Sequence, residues 1–367
     1  MKKLLSVLTL VVMIICVMPL KTQALSAASA VVIGGDTGEI IYSYNANTRL
    51  SMASTTKIMT GLILCERGNL DREIIVTAPM VAVEGSSMGL RAGDKISLRD
   101  LLYGLMLASG NDAANAIAIA LGGTIEGFAD MMNEKAAELG LKNTHFVTPS
   151  GLDADGHYTT AYELALIAKC ALENEEFAKA VSTKNITLSY GTGQHYLSNH
   201  NRLLSSVDGV VGVKTGYTKK SGRCLVTAYK NDGKFIICVT LNDPNDWADH
   251  KALINIGVSA IEDVVLEPTV DKLEVQLLGG VQKSLLLNFE NTSLAMVNSG
   301  EITCQINLPE VLYAPLSEGE KIGFVSYYKD GNLILTEDIR APYDVPQKNY
   351  KNSEKLMMLF KQILSAV

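Results

Sequence analysis

The chain has 367 residues, 47% of them hydrophobic and 19% charged, with a formal net charge of −7. That length holds two domains of ordinary size, each with its own core, and the composition is globular rather than disordered. The acidic balance leaves no broad basic surface to neutralise phosphates, which excludes nucleic acid as a partner.

Lys2 and Lys3 precede an apolar run over residues 4–20, and Thr22-Gln23-Ala24 supplies small residues, the pattern of a cleaved signal peptide over 1–24. A retained anchor is the rival reading, but the run has Pro19 near its end and is at the short limit for a membrane span. Cys16 lacks a small residue before it, which speaks against a lipoprotein signal. The protein is then exported.

Residues 31–33 and 40–42 read as strands joined by Asp36-Thr37-Gly38, a hairpin signal. A helix follows over 55–67, with Gly68 in the C-terminal cap position. Two more helices, 98–106 and 112–121, are broken by Ser109-Gly110-Asn111. Thr160-Ala161-Tyr162-Glu163 forms a capping box that opens a helix running to 172. Strands return at 225–229 and 235–241, with Asn231-Asp232-Gly233 turning between them. Strands, then a helical block, then strands predict an α+β domain with an antiparallel sheet covered by helices.

Beyond about residue 262 the pattern changes. Leu273, Val275 and Leu277 alternate with polar residues, similar runs recur at 302–308 and 322–328, and Asp330-Gly331 turns into 333–335. This predicts a small all-β module. In the tail, Leu356, Met357, Leu359, Phe360, Ile363 and Leu364 share one face of a helix, which suits a membrane interface. A terminal helix packed on the β module is the alternative.

Removing the signal leaves Cys65, Cys170, Cys224, Cys238 and Cys304, an odd set without close pairing, each in an apolar segment. They read as small buried hydrophobes rather than a disulfide framework. The five histidines have no metal-ligand spacing, so no metal and no other cofactor is expected. Asp153-Ala154-Asp155-Gly156 resembles the start of a calcium loop but lacks the later acidic ligand, and reads as a turn.

Three short motifs carry chemistry. Ser54-x-x-Lys57 puts a hydroxyl and an amine on one face of a helix start. A serine hydroxyl needs a base within hydrogen-bond reach, and a lysine serves only when its amine is neutral. Taken alone, the motif is equally a solvated helix end. Ser109-Gly110-Asn111 offers a second hydroxyl for proton transfer and an amide for a substrate carbonyl; its bland reading is a junction where Asn111 or Asp112 caps the next helix. Lys214-Thr215-Gly216 follows Val210-Val211-Gly212-Val213 on a strand. There the glycine lets another backbone approach, and Lys214 can meet a carboxylate and depress the pKa of Lys57. An exposed strand end is the bland reading.

In this order the three motifs resemble the signature of penicillin-recognising serine enzymes. Together with Pro149-Ser150-Gly151-Leu152, His157-Tyr158-Thr159-Thr160-Ala161 and Asp208-Gly209, the mature chain is similar to the low-molecular-mass D-alanyl-D-alanine carboxypeptidases. The resemblance implies a penicillin-binding/serine β-lactamase-like α+β domain over 25–262, with a helical subdomain. A small all-β domain over 263–345 and an amphipathic membrane-associating helix over 346–367 would follow. It implies removal of the terminal D-alanine from peptidoglycan pentapeptide stems, without a cofactor, at the outer face of the membrane or in the cell-wall space. β-Lactams would be covalent inhibitors.

By the same resemblance Ser54 is the nucleophile, Lys57 its base, and Ser109 the relay to the departing amine. Asn111, Lys214, Thr215, Gly216 and Tyr217 would bind substrate, with the N–H groups of Ser54 and Tyr217 as the oxyanion hole. One departure stands out. Related enzymes carry an arginine beyond the Lys-Thr-Gly strand, whereas here none lies between Arg223 and Arg340. The corresponding stretch reads Asn242-Asp243-Pro244-Asn245-Asp246-Trp247, which leaves the carboxylate to Lys214 and Thr215; Trp247 would wall the site or enter the core.

Two other functions share parts of the pattern. A class A β-lactamase reads Ser-Asp-Asn at the second motif and has a Glu-x-x-Leu-Asn segment; here Gly110 intervenes and no such segment lies between Asn111 and Lys214. A non-catalytic wall-binding protein would have no need of Ser54, Lys57, Ser109 and Lys214 together.

Overall fold

The computed structural model describes residues 25–297 and 299–348, so the signal-peptide and tail-helix expectations lie outside the described residues. An unbroken apolar strand needs cover on both faces. The strand β1 (Ser29–Gly34) is buried along its whole length. It lies in a five-stranded antiparallel sheet with β2 (Ile40–Tyr44), β3 (Val210–Thr218), β4 (Gly222–Asn231) and β5 (Lys234–Leu241), in the order β2-β1-β5-β4-β3. Alternation divides the side chains: Val31, Ile33, Val226, Ile237 and Val239 join the larger core. Ala30, Val32, Leu225, Ile236 and Cys238 pack on the opposite face with Leu253 and Ile254.

The larger core is completed by helices α1 (Lys57–Arg67), α2 (Leu98–Met106), α3 (Asn111–Gly122), α4 (Ile125–Glu138), α5 (Ala161–Leu172) and α6 (Glu175–Ser182). The helix α1 touches the other five and buries Ile58, Met59, Leu62, Ile63 and Leu64. The opposite face is closed by α7 (Asp246–Ala260), which supplies Leu253 and Ile254. This is the expected α+β arrangement of an antiparallel sheet with helices on its faces.

Several local expectations shift by a residue or a partner. A 3-10 turn over Ala53–Thr56 precedes α1, so the α-helix begins at Lys57 rather than at 55. Gly68 caps α1 in an extended conformation, not the left-handed one. Thr160 Oγ1 accepts from Glu163 N as a capping box requires, but the Glu163 carboxylate turns to the backbone N–H groups of Lys142 and Asn143 and the Thr144 hydroxyl. Those loop donors lack a helix or sheet partner and outcompete the N–H of Thr160. The β4–β5 turn has positive φ at Asp232 and Gly233, as a two-residue hairpin loop demands.

From Ile261 onward the described residues form strands. Ile261–Leu266 pairs with Thr292–Val297, Lys272–Leu278 with Ser284–Asn288 and Val311–Tyr313, and Ile302–Asn307 with Lys321–Lys329, which in turn pairs with Asn332–Arg340. Val275 and Leu277 face a core shared with Leu285, Leu287, Val325, Tyr327 and Ile339, while Leu273 packs at its margin. A partly buried ion pair, Lys329 Nζ to Glu39 Oε1 at 2.6 Å, ties these strands to the β1–β2 connection. All five described cysteines are free; Cys224 and Cys238 are fully buried, and burial pushes the Cys224 thiol up to about 12.

Candidate active site

Ser54 sits in the 3-10 turn that feeds α1, and the turn is held from beneath. Ala53 has φ +48, a left-handed conformation that a non-glycine residue adopts only when its surroundings enforce it. Thr55 Oγ1 donates to Met52 O, and Thr56 Oγ1 donates to Ala53 O. His157 Nδ1 accepts from Val147 N, which leaves Nε2–H to donate to Thr56 Oγ1 at 2.8 Å. Burial pushes the His157 pKa down to about 4 and keeps the ring neutral at ordinary pH.

Lys57, one turn on, is fully buried. Its Nζ lies 2.9 Å from Ser54 Oγ, 2.8 Å from Asn111 Oδ1 and 2.6 Å from Ser150 O. Desolvation, with the nearby Lys214 charge second, holds its pKa well below the usual lysine range; Asp112 opposes them. A neutral amine has two N–H donors and one lone pair. Two carbonyl acceptors and one hydroxyl donor therefore match it, with the lone pair on the Ser54 proton.

The second motif joins α2 to α3. Ser109 is nearly buried with φ +56 and borders the same cleft as Ser54. Asn111 accepts from Lys57 and donates through Nδ2 to Glu84 O, which leaves its second amide hydrogen for a substrate carbonyl. Neither Asn111 nor Asp112 is the N-cap of α3; that position belongs to Gly110. Asp112 instead accepts from the Ser87 hydroxyl and from the backbone N–H groups of Met88, Gly89 and Leu90, folding the 84–90 loop over the cleft.

The third motif lies on β3, at the sheet edge. A Cβ on Gly216 would meet the backbone nitrogens of Ser54 and Thr55 and the Met52 carbonyl oxygen at 3.0–3.1 Å. The close backbone approach predicted for this glycine is thus already made by the Ser54 turn of the protein itself. Lys214 is not at an exposed strand end; it is 1% exposed, with Nζ donating to Thr215 O, and burial pushes its pKa down to about 7. Tyr217 is exposed at the mouth.

These residues meet in one open cleft of about 490 Å³, lined by Ser54, Ser109, Thr215, Gly216 and Tyr217. That volume is in the range of small-molecule sites. His200, Arg202, Arg223, Asp246 and Trp247 also line it, and of these only Trp247 was expected there; two arginines thus border the cleft, while Lys214 is not among its lining residues. Arg223 is paired across the ladder with Tyr217, a relation set by the β3–β4 hairpin register and hidden in a search for arginines further along the chain. Trp247 does both things expected of it, lining the cleft and packing on the α7 face of the sheet. Among the described residues no group of three or more His, Cys, Asp or Glu side chains is placed to hold a metal ion.

A hydroxyl on a buried lysine amine, beside a second serine and a Lys-Thr-Gly edge strand, is the geometry of a serine acyl-transfer site. Residues 17–245 match the family described as D-alanyl-D-alanine carboxypeptidase. The chain belongs to the D-alanyl-D-alanine carboxypeptidase family. Among its relatives, the D-alanyl-D-alanine carboxypeptidase DacF of Bacillus subtilis is 32% identical, with 95% of this chain and 96% of the relative aligned. The D-alanyl-D-alanine carboxypeptidase of Streptomyces sp. strain K15 is 36% identical over 64% of this chain and 87% of its own. Solved carboxypeptidase-like structures agree. The crystal structure of the Streptomyces K15 DD-transpeptidase superposes with a TM-score of 0.63 at 34% identity, covering 65% of this chain and all of that one. Penicillin-binding protein 5 of Haemophilus influenzae gives 0.65 at 27% identity over 90% and 100%. This carboxypeptidase-family chain is a serine-class hydrolase with a penicillin-binding-protein fold.

Proposed function

We propose that the protein removes the terminal D-alanine from peptidoglycan pentapeptide stems through an acyl-enzyme on Ser54. The observation that carries this reading is the 2.9 Å approach of the buried Lys57 amine to Ser54 Oγ. Neutral Lys57 takes the hydroxyl proton as Ser54 Oγ attacks the carbonyl carbon between the two D-alanines. The N–H groups of Ser54 and Tyr217 receive the developing oxyanion; a donor of this kind is typically worth about 2.7–4 kcal/mol. The carbon–nitrogen bond then breaks. Ser109 passes the proton from Lys57 to the leaving amine, and D-alanine departs. Water hydrolyses the ester and Ser54 regains its proton.

Asn111 orients Lys57 and offers its remaining N–H to the stem, while Thr215, Gly216 and Tyr217 line the strand on which the stem lies. Penicillin, whose strained amide enters the same attack, would acylate Ser54 and stay. In this reading the catalytic unit ends near residue 262, the strands to about 345 form a pedestal, and 346–367 rests on the outer membrane surface after export. The membrane and export parts rest on the sequence pattern of the two ends. Purified protein given a pentapeptide stem should release one D-alanine per stem, and Ser54→Ala should release none. Release that survives in Ser54→Ala would defeat the assignment.

A further inference from the structure

A substrate that ends in a carboxylate needs a fixed cation in the cleft, and the strand lysine is a poor sole candidate. Lys214 is buried with Nζ bonded to Thr215 O, and burial leaves it only partly charged above about pH 7. His200, which lines the cleft, is held below the ordinary histidine range by burial and by Lys214, so it adds little charge. Two guanidinium groups remain, Arg202 and Arg223.

They differ in how they are held. Arg223 lies on β4 directly across from Tyr217, one step beyond the glycine that abuts Ser54. Its Nη2 is 2.8 Å from Asp246 Oδ2, and that carboxylate is only 3% exposed. Its guanidinium also stands 5.5 Å from the ring centre of Trp247, a cation–π distance. Asp246 is fixed in turn by accepting from Trp247 N at the start of α7. One contact to Asp246 leaves the other forked N–H donors of the guanidinium for an incoming carboxylate. Among the described residues no ion pair holds Arg202, which also borders a second cavity beside Lys184 and Ser198.

We propose that Arg223, braced by Asp246 and Trp247, binds the terminal carboxylate of the stem and makes the enzyme selective for free-acid ends. The proposal rests on the carboxypeptidase reading of Ser54, and it differs from the expectation that Lys214 and Thr215 do this alone. Asp246 acts through Arg223 and is a positioning residue.

The test compares two peptides, one ending in D-Ala-D-Ala and one in D-Ala-D-alaninamide, on wild type, Arg223→Gln, Arg202→Gln and Asp246→Asn. A charged hydrogen bond is worth roughly 10–100-fold, so Arg223→Gln should lower kcat/KM that far on the acid. On the amide it should stay within about threefold of wild type, which also shows that the variant folds. Asp246→Asn should raise KM for the acid with kcat less affected, and Arg202→Gln should leave the acid/amide ratio unchanged. Equal losses on both peptides in Arg223→Gln, or an acid-specific loss confined to Arg202→Gln, would overturn the role of Arg223 while leaving Ser54 chemistry intact. A wild type that cleaves neither peptide overturns the carboxypeptidase reading and this proposal with it.

Discussion

At the scale of single residues, the proposed mechanism turns on keeping one lysine neutral. Lys57 has two causes for its lowered pKa, burial first and the Lys214 charge second. In the proposed mechanism Lys57 is the base and must be deprotonated to act, so acylation should speed up as pH climbs through the Lys57 pKa. Replacing Lys214 by Gln removes the like charge, raises that pKa, and should move the ascending limb to higher pH. Acylation rates at saturating penicillin across pH 5–10 would show it; an unmoved limb would mean that burial alone sets the value. The proximity of Ser54 to Lys57 was legible in the sequence, because the two lie three residues apart at a helix start, and Ser109 and Lys214 were picked out as parts of short motifs. Ser150 O, which accepts from Lys57, and Arg223 were not. The first is a backbone atom more than ninety positions away, and the second enters through strand pairing. Neither relation leaves a pattern in local spacing.

At the scale of elements, the first turn of α3 does more than begin a helix. Asn111 reaches Lys57, while Asp112, nearly fully buried, gathers the Ser87 hydroxyl and three backbone N–H groups of the facing loop. A buried donor left without its partner costs about 1–3 kcal/mol. Asp112→Ala should therefore lower unfolding stability by at least about 2 kcal/mol in urea titration and slow acylation by loosening the 84–90 loop. A change below about 0.5 kcal/mol would show that the loop is held by other contacts. Helix positions were readable from capping residues and apolar spacing, as for α2 and α5. What Asp112 and Glu163 do with their carboxylates was not, since each answers donors supplied by a distant loop.

At the scale of the whole molecule, an antiparallel sheet with both faces covered places its edge strand against the Ser54 turn. The cleft forms where that strand, the α2–α3 junction and the first turn of α7 converge. The change from helices to alternating strands near residue 262 could be read from periodicity alone. The Lys329–Glu39 pair that joins the strands to the β1–β2 connection could not, because its members are 290 positions apart. In the proposed mechanism the assembly acts through the single hydroxyl of Ser54, so its total mass reports the chemistry directly. Intact-mass measurement after brief penicillin treatment should show one stable penicilloyl adduct on the wild type and none on Ser54→Ala. No mass increase on the wild type, the same increase on Ser54→Ala, or an adduct lost by rapid penicillin turnover would contradict it.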